Sequence, residues 1–319
     1  MGKLAFLFPG QASQYPGMGK DLYEKFPAAR AVFEQADEAL DFSVTKLCLE
    51  GTEEELKLTA NTQPAILTVS VAALRVLEES DVAPDYVAGH SLGEYSALVA
   101  ASALEFRDAA RLVRKRGQYM QEAVLPGEGA MAAILGLAPG LVEEICRKAT
   151  DGQVVAPANL NSPEQTVISG NAAAVKRAVE LASQAGAKRT LMLPVSAPFH
   201  CELMLPAQER LRANLEETPF RTPRVTIISN VDAEPVTAAE EARSALIRQV
   251  SLPVRWEESI RELISRGVNL FIEVGPGRVL SGLLRQIDRS VHSFNVEDEN
   301  SLTATLAKLE QARGESAEG

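Results

Sequence analysis

Three features of the sequence predict an α/β domain on a mostly parallel sheet, interrupted by a smaller α+β domain. Strand-like runs alternate with helix-like periods on both sides of a central block, the pattern of a sheet wound with helices. Inside that block the order reads β-α-β-β-α-β over about 65 residues, the split ferredoxin-like motif. A short apolar strand, Tyr86-Val87-Ala88, runs directly into Gly89-His90-Ser91-Leu92-Gly93. That is the arrangement in which a sheet presents a reactive turn at its strand ends. Turn-rich boundaries place the large domain at 1–124 and 198–319 and the inserted one at 125–197.

The elements follow in order. Leu4–Phe8 is wholly apolar and stopped by Pro9-Gly10, which suits a strand covered on both faces with a ligand-facing loop starting at Gln11. Glu53–Leu58 and Pro64–Leu77 read as helices, the second from Ile66, Val69, Ala73 and Leu77. Asp81–Pro84 breaks that period before the Tyr86 strand. Leu92–Ala101 and Glu105–Val124 are helical again, and Leu125-Pro126-Gly127 closes them with a turn.

The inserted block then reads as strand Met131–Leu135, helix Pro139–Thr150, strands Val154–Leu160 and Thr166–Ser169, helix Ala172–Gln184 and strand Lys188–Leu193. Beyond it come a helix over Glu202–Leu215, a strand over Val225–Ser229 and a helix before Pro253. Helix Trp256–Ser265, strand Val268–Val274 and helix Leu280–Ile287 complete the pattern. Ser290-Val291-His292 is a candidate late strand. The small polar residues from Glu310 onward read as a frayed tail.

Composition narrows the function. At 319 residues with 46% apolar, the chain can bury a sizeable core without disulfide staples. The 43 acidic against 32 basic residues give a charge of −11, which argues against a nucleic-acid or anionic-membrane binder while leaving room for a local basic patch. Cys48, Cys146 and Cys201 are odd in number and far apart, fitting a reducing compartment rather than a disulfide or zinc scaffold. The first residues have too short an apolar core for a signal peptide, and no run of 18 apolar residues occurs, so a cytoplasmic protein is expected.

The chemistry centres on Ser91. Gly89-His90-Ser91-Leu92-Gly93 has the spacing of a nucleophile elbow, with a helix behind it to stabilise a developing oxyanion. A serine nucleophile needs a base, and His90, His200 and His292 are the candidates. His90 adjoins Ser91 and the sharp turn points its ring elsewhere. His292 lies in the late strand. His200 follows the proline-shaped loop Val195-Ser196-Ala197-Pro198-Phe199 that leaves the inserted block, a natural cleft lining. None of Asp108, Glu122, Glu128 or Asp151 has the strand-end placement of an orienting carboxylate, so an amide or backbone carbonyl remains open for that role.

Arg116 is a charge on the wrong face. Arg107, Arg111 and Arg114 share a polar, solvated face, but the neighbours of Arg116 are Leu112, Val113 and Met120. A buried guanidinium needs a partner, either a protein carboxylate such as Glu94 or a carboxylate on a ligand. With Ser91, it points to acyl transfer on a substrate bearing a second, free carboxylate.

At this point six pieces come together. They are Phe8-Pro9-Gly10-Gln11 with Ser13-Gln14, Gln63-Pro64-Ala65, Gly89-His90-Ser91-Leu92-Gly93-Glu94, Arg114-Lys115-Arg116-Gly117 with Met120-Gln121, Ser196-Ala197-Pro198-Phe199-His200, and Glu273-Val274-Gly275-Pro276-Gly277. In this order, across nearly the whole chain, they resemble the bacterial malonyl-CoA:acyl carrier protein transacylases of fatty-acid synthesis. The resemblance implies an α/β-hydrolase-like large domain, Ser91 as nucleophile and His200 as base. It further implies the Gln249 main-chain carbonyl as the histidine's orienting group, the Gln11 and Leu92 N–H groups as oxyanion hole, and Arg116 on the malonyl carboxylate.

Malonyl-CoA and the phosphopantetheine thiol of an acidic acyl carrier protein would be the substrates, with no metal or tightly bound cofactor and no nucleic acid or membrane partner. A monomer is expected. Lys188, Arg189, Arg278 and Arg285 are candidates for receiving the carrier. One departure is Ala12, where the family has glycine. Two rivals share these residues: a serine hydrolase or thioesterase that admits water, and a non-catalytic carrier-binding module.

Overall fold

The computed structural model describes residues 2–195 and 197–315, so Ser196 of the loop before His200 and the end of the expected tail lie outside the described residues. The chain opens with β1 (Lys3–Phe8), followed by helices α1 (Lys20–Lys25), α2 (Pro27–Ala39), α3 (Val44–Glu50), α4 (Glu53–Lys57) and α5 (Thr59–Glu79). Then come β2 (Tyr86–Gly89), α6 (Gly93–Ala100) and α7 (Phe106–Glu122). A second unit holds β3 (Gly129–Leu135), α8 (Pro139–Ala149), β4 (Val155–Ser162), β5 (Gln165–Asn171), α9 (Ala172–Gln184) and β6 (Arg189–Met192). After a 3₁₀ turn at Glu202–Met204 the chain forms α10 (Leu205–Glu217), β7 (Thr226–Ile228), β8 (Pro235–Val236), α11 (Ala239–Gln249) and α12 (Trp256–Ser265). It ends with β9 (Val268–Val274), α13 (Val279–Ile287), β10 (His292–Val296) and α14 (Glu299–Glu315).

The large sheet runs β10-β9-β1-β2-β7-β8, parallel throughout except where β8 turns back on β7. Every residue of β1 after Lys3 is buried. Its side chains alternate between two cores, as the period of a strand demands. Leu4, Phe6 and Phe8 meet the helices that include α2 and α5, while Ala5 and Leu7 meet Trp256 and Ile260 of α12 and Leu280 and Leu284 of α13. Coverage on both faces is what an uninterrupted apolar strand in a parallel sheet requires.

The inserted unit is a four-stranded antiparallel sheet ordered β4-β5-β3-β6. In the order of its own strands this reads 2-3-1-4, the ferredoxin-like arrangement. Ala132, Ile134 and Ile168 point to α8 and α9, and the alternate residues Met131, Ala133 and Val167 point back at the large unit. Main-chain bonds tie the two together: Leu160 N–H to the Val254 carbonyl at 2.9 Å and Val254 N–H to the Ala158 carbonyl at 2.8 Å.

Three expectations need correction. The helix expected from Pro64 starts a turn earlier, at Thr59, with Pro64 inside it. Proline has no N–H for the Ala60 carbonyl, and Arg114 Nη1 supplies that donor at 2.7 Å. Arg114 is therefore half-buried and structural, rather than one of three solvated arginines. The residues from Glu310 continue α14 as far as Glu315, anchored by buried Leu302 and Leu309, so the fraying expected from Glu310 does not begin there.

Candidate active site

The glycines of the elbow are required by crowding. A methyl group on Gly89 would collide with the Gly93 carbonyl, and one on Gly93 with the Phe8 carbonyl. Between them Ser91 takes a left-handed backbone, φ 52°, which a non-glycine residue holds only when its surroundings fix it. They do so from both sides. Ser91 N–H donates to Asn230 Oδ1 at 2.7 Å, and its carbonyl accepts from Gln249 Nε2 at 2.8 Å. Asn230 Nδ2 also donates to the Gly89 carbonyl at 2.7 Å. Neither side chain has a local sequence signature; Asn230 just follows the apolar β7, and Gln249 ends α11.

His200 is buried and reaches Ser91 Oγ with Nε2 at 2.7 Å. Its Nδ1 stands 2.8 Å from the main-chain carbonyl of Gln249. A carbonyl only accepts, so Nδ1 carries the proton and Nε2 is left free to take one from the serine. Burial and then the Arg116 charge pull the His200 pKa down to about 3. The ring is neutral at working pH.

The other histidines stand apart. His90 Nε2 is 2.8 Å from Asn161 Oδ1, with its ring tilted against Trp256, and burial lowers its pKa. His292 is exposed on β10 and stacks on Phe294.

Arg116 is 1% exposed. Nη1 donates to Gln63 Oε1 at 2.8 Å, and Nη2 to Gln249 Oε1 at 2.8 Å and Ser91 Oγ at 3.1 Å. Its partners are thus neutral oxygens. Among the described residues Nε has no partner. Glu94 is not a direct ion-pair partner: its Oε2 accepts from Gln249 Nε2 at 2.6 Å and its Oε1 from Asn230 N–H at 3.3 Å. Burial pushes the Glu94 carboxyl up to about 7 in spite of those donors. Gln63 stands out in sequence only as an amide within an apolar helical run.

Ser91 and His200 line a cavity of about 340 Å³ between the two sheets. Gln11, His90, Ser91 and His200 line one side, and Met131, Val167 and Asn161 of the inserted sheet line the other. Among the described residues the N–H groups of Gln11 and Leu92 donate to no acceptor. Ala12 beside them has φ 81°, which explains why glycine is the usual residue there.

Arg189, Arg278 and Arg285 are exposed; Lys188 pairs with Glu164 at 2.6 Å, and Arg278 lies 3.7 Å from Glu297. Among the described residues no group of three or more His, Cys, Asp or Glu side chains could hold a metal ion, and no helix is long and apolar enough to cross a membrane.

Comparison with known proteins finds relatives along nearly the whole chain. Residues 5–312 match the family described as the acyl transferase domain. The malonyl CoA-acyl carrier protein transacylase of Bacillus subtilis (strain 168) is 51% identical over 312 residues, 98% of each chain. The solved malonyl CoA-acyl carrier protein transacylase of Coxiella burnetii superposes with a TM-score of 0.93 at 47% identity, covering 95% of this chain and 97% of that one. A malonyl-transacylase solved in complex with a type II PKS acyl-carrier protein gives a TM-score of 0.94 at 45% identity, covering 96% and 99%.

Proposed function

The chain belongs to the acyl transferase family, among its malonyl-CoA:acyl carrier protein transacylases, and on that premise we propose which of its residues carry the reaction. The enzyme moves a malonyl group from coenzyme A to the phosphopantetheine thiol of acyl carrier protein, through a malonyl-serine intermediate in ping-pong order, supplying the elongation unit of fatty-acid synthesis. One observation supports our residue assignment above others: Ser91 Oγ lies 2.7 Å from His200 Nε2 and 3.1 Å from a buried guanidinium.

In the first half-reaction His200 Nε2 takes the Ser91 proton as Oγ attacks the malonyl thioester. The Gln249 carbonyl holds Nδ1–H and stabilises the imidazolium that forms. The oxyanion falls to the N–H groups of Gln11 and Leu92, which have no acceptor of their own among the described residues. On collapse the sulfur of coenzyme A leaves with the proton from His200. In the second half-reaction the carrier thiol gives its proton to the same nitrogen and attacks the ester. Ser91 Oγ departs and takes that proton back.

Arg116 receives the malonyl carboxylate. Its Nε, without a partner among the described residues, and its Nη2 offer the two parallel donors of a carboxylate fork. The reaction calls on no metal or tightly bound cofactor, because every proton transfer has a side chain or thiol to serve it.

We place the domain division at 1–124 and 198–319 against 125–197, supported by two sheets that share no strand. The enzyme acts as a monomer in the cytoplasm. All of the proposed catalytic groups come from one chain, and its three cysteines are free. Arg189, Arg278 and Arg285, with Lys188, receive the acidic carrier.

Mass spectrometry after brief mixing with malonyl-CoA tests the assignment. The parent protein should gain one malonyl group on Ser91, released to holo carrier protein, and Ser91→Ala should gain none. Malonylation of Ser91→Ala at the parental rate refutes the nucleophile. Coenzyme A release that ignores the carrier would indicate a hydrolase.

A further inference from the structure

Gln249 touches nearly every part of the site, and its side chain has two chemically opposite ends. Oε1 accepts from Arg116 Nη2 at 2.8 Å, while Nε2 donates to the Ser91 carbonyl at 2.8 Å and Glu94 Oε2 at 2.6 Å. Turned over, the amide would set its NH₂ against the guanidinium and its oxygen against a carboxylate and a carbonyl. Only one orientation satisfies all of its neighbours.

The other oxygen of Glu94 accepts from Asn230 N–H at 3.3 Å, and the Asn230 side chain holds Ser91 N–H and the Gly89 carbonyl. Both carboxylate oxygens therefore accept, and both donors belong to residues that clasp the elbow. Glu94 sits in the first turn of α6, 2% exposed, and among the described residues it forms no ion pair. A carboxylate at that depth, held by neutral donors alone, is costly unless its charge has a use. The mechanism above gives it none.

We propose that Glu94 is a positioning residue for substrate selection. Through the Gln249 amide, whose oxygen it turns toward Arg116, it sets the aim of the guanidinium at the malonyl carboxylate without touching substrate. This rests on the reading of Arg116 as the carboxylate clamp. Glu94→Gln keeps the shape but not the two acceptors: its amide can present oxygen to Gln249 or to Asn230, and the remaining donor then faces an NH₂. The Gln249 amide loses the partner that orients it, and Arg116 loses a fixed acceptor.

The experiment is a two-by-two set: parent, Glu94→Gln, Arg116→Ala and the double variant. The readout is the ratio of kcat/KM for malonyl-CoA to that for acetyl-CoA. The ratio cancels the fraction of folded enzyme in each sample, so a merely structural effect does not move it. Glu94→Gln should lower the ratio about tenfold or more. In the Arg116→Ala background it should lower it no further, and Glu94→Asp, which keeps the charge, should recover part of the loss.

A ratio unchanged in Glu94→Gln overturns the proposal, as does an equal loss with and without Arg116. If neither Glu94 variant yields folded protein, the residue is a folding determinant and the proposal also falls. An Arg116→Ala ratio equal to the parent's refutes the clamp itself, and the Glu94 assignment with it.

Discussion

Replacing Arg116 by alanine should convert a malonyl-selective enzyme into an indifferent one. The guanidinium is 1% exposed, and its own partners are two amide oxygens and the Ser91 hydroxyl. On the proposed role the malonyl carboxylate would be the charge that Arg116 binds directly, Glu94 acting on it only through space, and removing a partner from a buried pair costs about 3–5 kcal/mol. At about 1.4 kcal/mol per tenfold, kcat/KM for malonyl-CoA should fall by roughly 10²-fold to a few thousandfold.

Acetyl-CoA brings no carboxylate. It loses only the 3.1 Å bond to Ser91 Oγ, which is worth about 1 kcal/mol. Part of that loss is offset, because the Arg116 charge is one of the causes that depress the His200 pKa and the variant's base is stronger. The malonyl-to-acetyl ratio should therefore drop by about 30-fold or more. Lysine should restore only a part, since it brings charge without the planar fork. The assay is coenzyme A release with saturating holo carrier protein, each thioester titrated separately. Equal proportional losses on both substrates would refute the clamp and leave Arg116 as a brace between α5, α7 and the elbow.

His200→Ala should slow single-turnover acylation and transfer to the carrier together, by about 10²–10⁴-fold; a parental acylation rate would remove His200 from the mechanism. Acylation by the parent should keep its rate well below pH 6.5, because the folded ring resists protonation until about pH 3. The same shift has a stability sign: the unfolded chain binds a proton near 6.5 that the folded protein refuses until about 3. Acidification through that window lowers stability, with no His200 contribution above it. Denaturant titrations should accordingly give a shallower acid dependence in His200→Ala than in the parent. Ala12→Gly should raise Tm by a degree or two, since an alanine at φ 81° carries about 1–2 kcal/mol of strain, less the extra freedom glycine gives the unfolded chain. A lower Tm would show that the methyl group packs usefully.

Much of this architecture is legible from periodicity, and the failures have physical causes. β1 and the inserted unit are readable because their apolar runs are long or strictly ordered. Helices α1 to α3 are not among the elements expected from the sequence, although Pro27 at a helix start and Ala29, Val32, Phe33 and Ala36 on one buried face signal the second of them. β8 has two residues and no period at all. Pro64 reads locally as a helix start; only Arg114, from another helix, reveals that the helix continues through it.

The site divides in the same way. Ser91, His200 and Arg116 each break a local pattern and can be singled out. Asn230, Gln63 and the Gln249 side chain are ordinary polar residues whose meaning arises when distant segments meet, 139 positions apart for Ser91 and Asn230 and 158 for Ser91 and Gln249. The choice of a carbonyl over a carboxylate behind His200 likewise leaves no local pattern; the family resemblance alone implies Gln249, whose carbonyl stands 2.8 Å from Nδ1.

The order of strands in the large sheet has a consequence for the newborn chain. β1 and β2 are sequence neighbours and pair in register, but the strands flanking them, β9 and β7, leave the ribosome much later. Synthesis from Gly89 to Val274, at about 5–20 residues per second, takes about ten to forty seconds. Until β9 and β7 emerge, β1 and β2 present open hydrogen-bonding edges, and the face later packed by α12 and α13 stays uncovered, the condition under which nascent chains associate with one another. The inserted unit can fold by itself during the wait, since its four strands are contiguous in sequence. Translation speed between the two halves, and chaperones that shield a half-made sheet, should therefore govern the yield of soluble enzyme more strongly than the final stability of the finished protein.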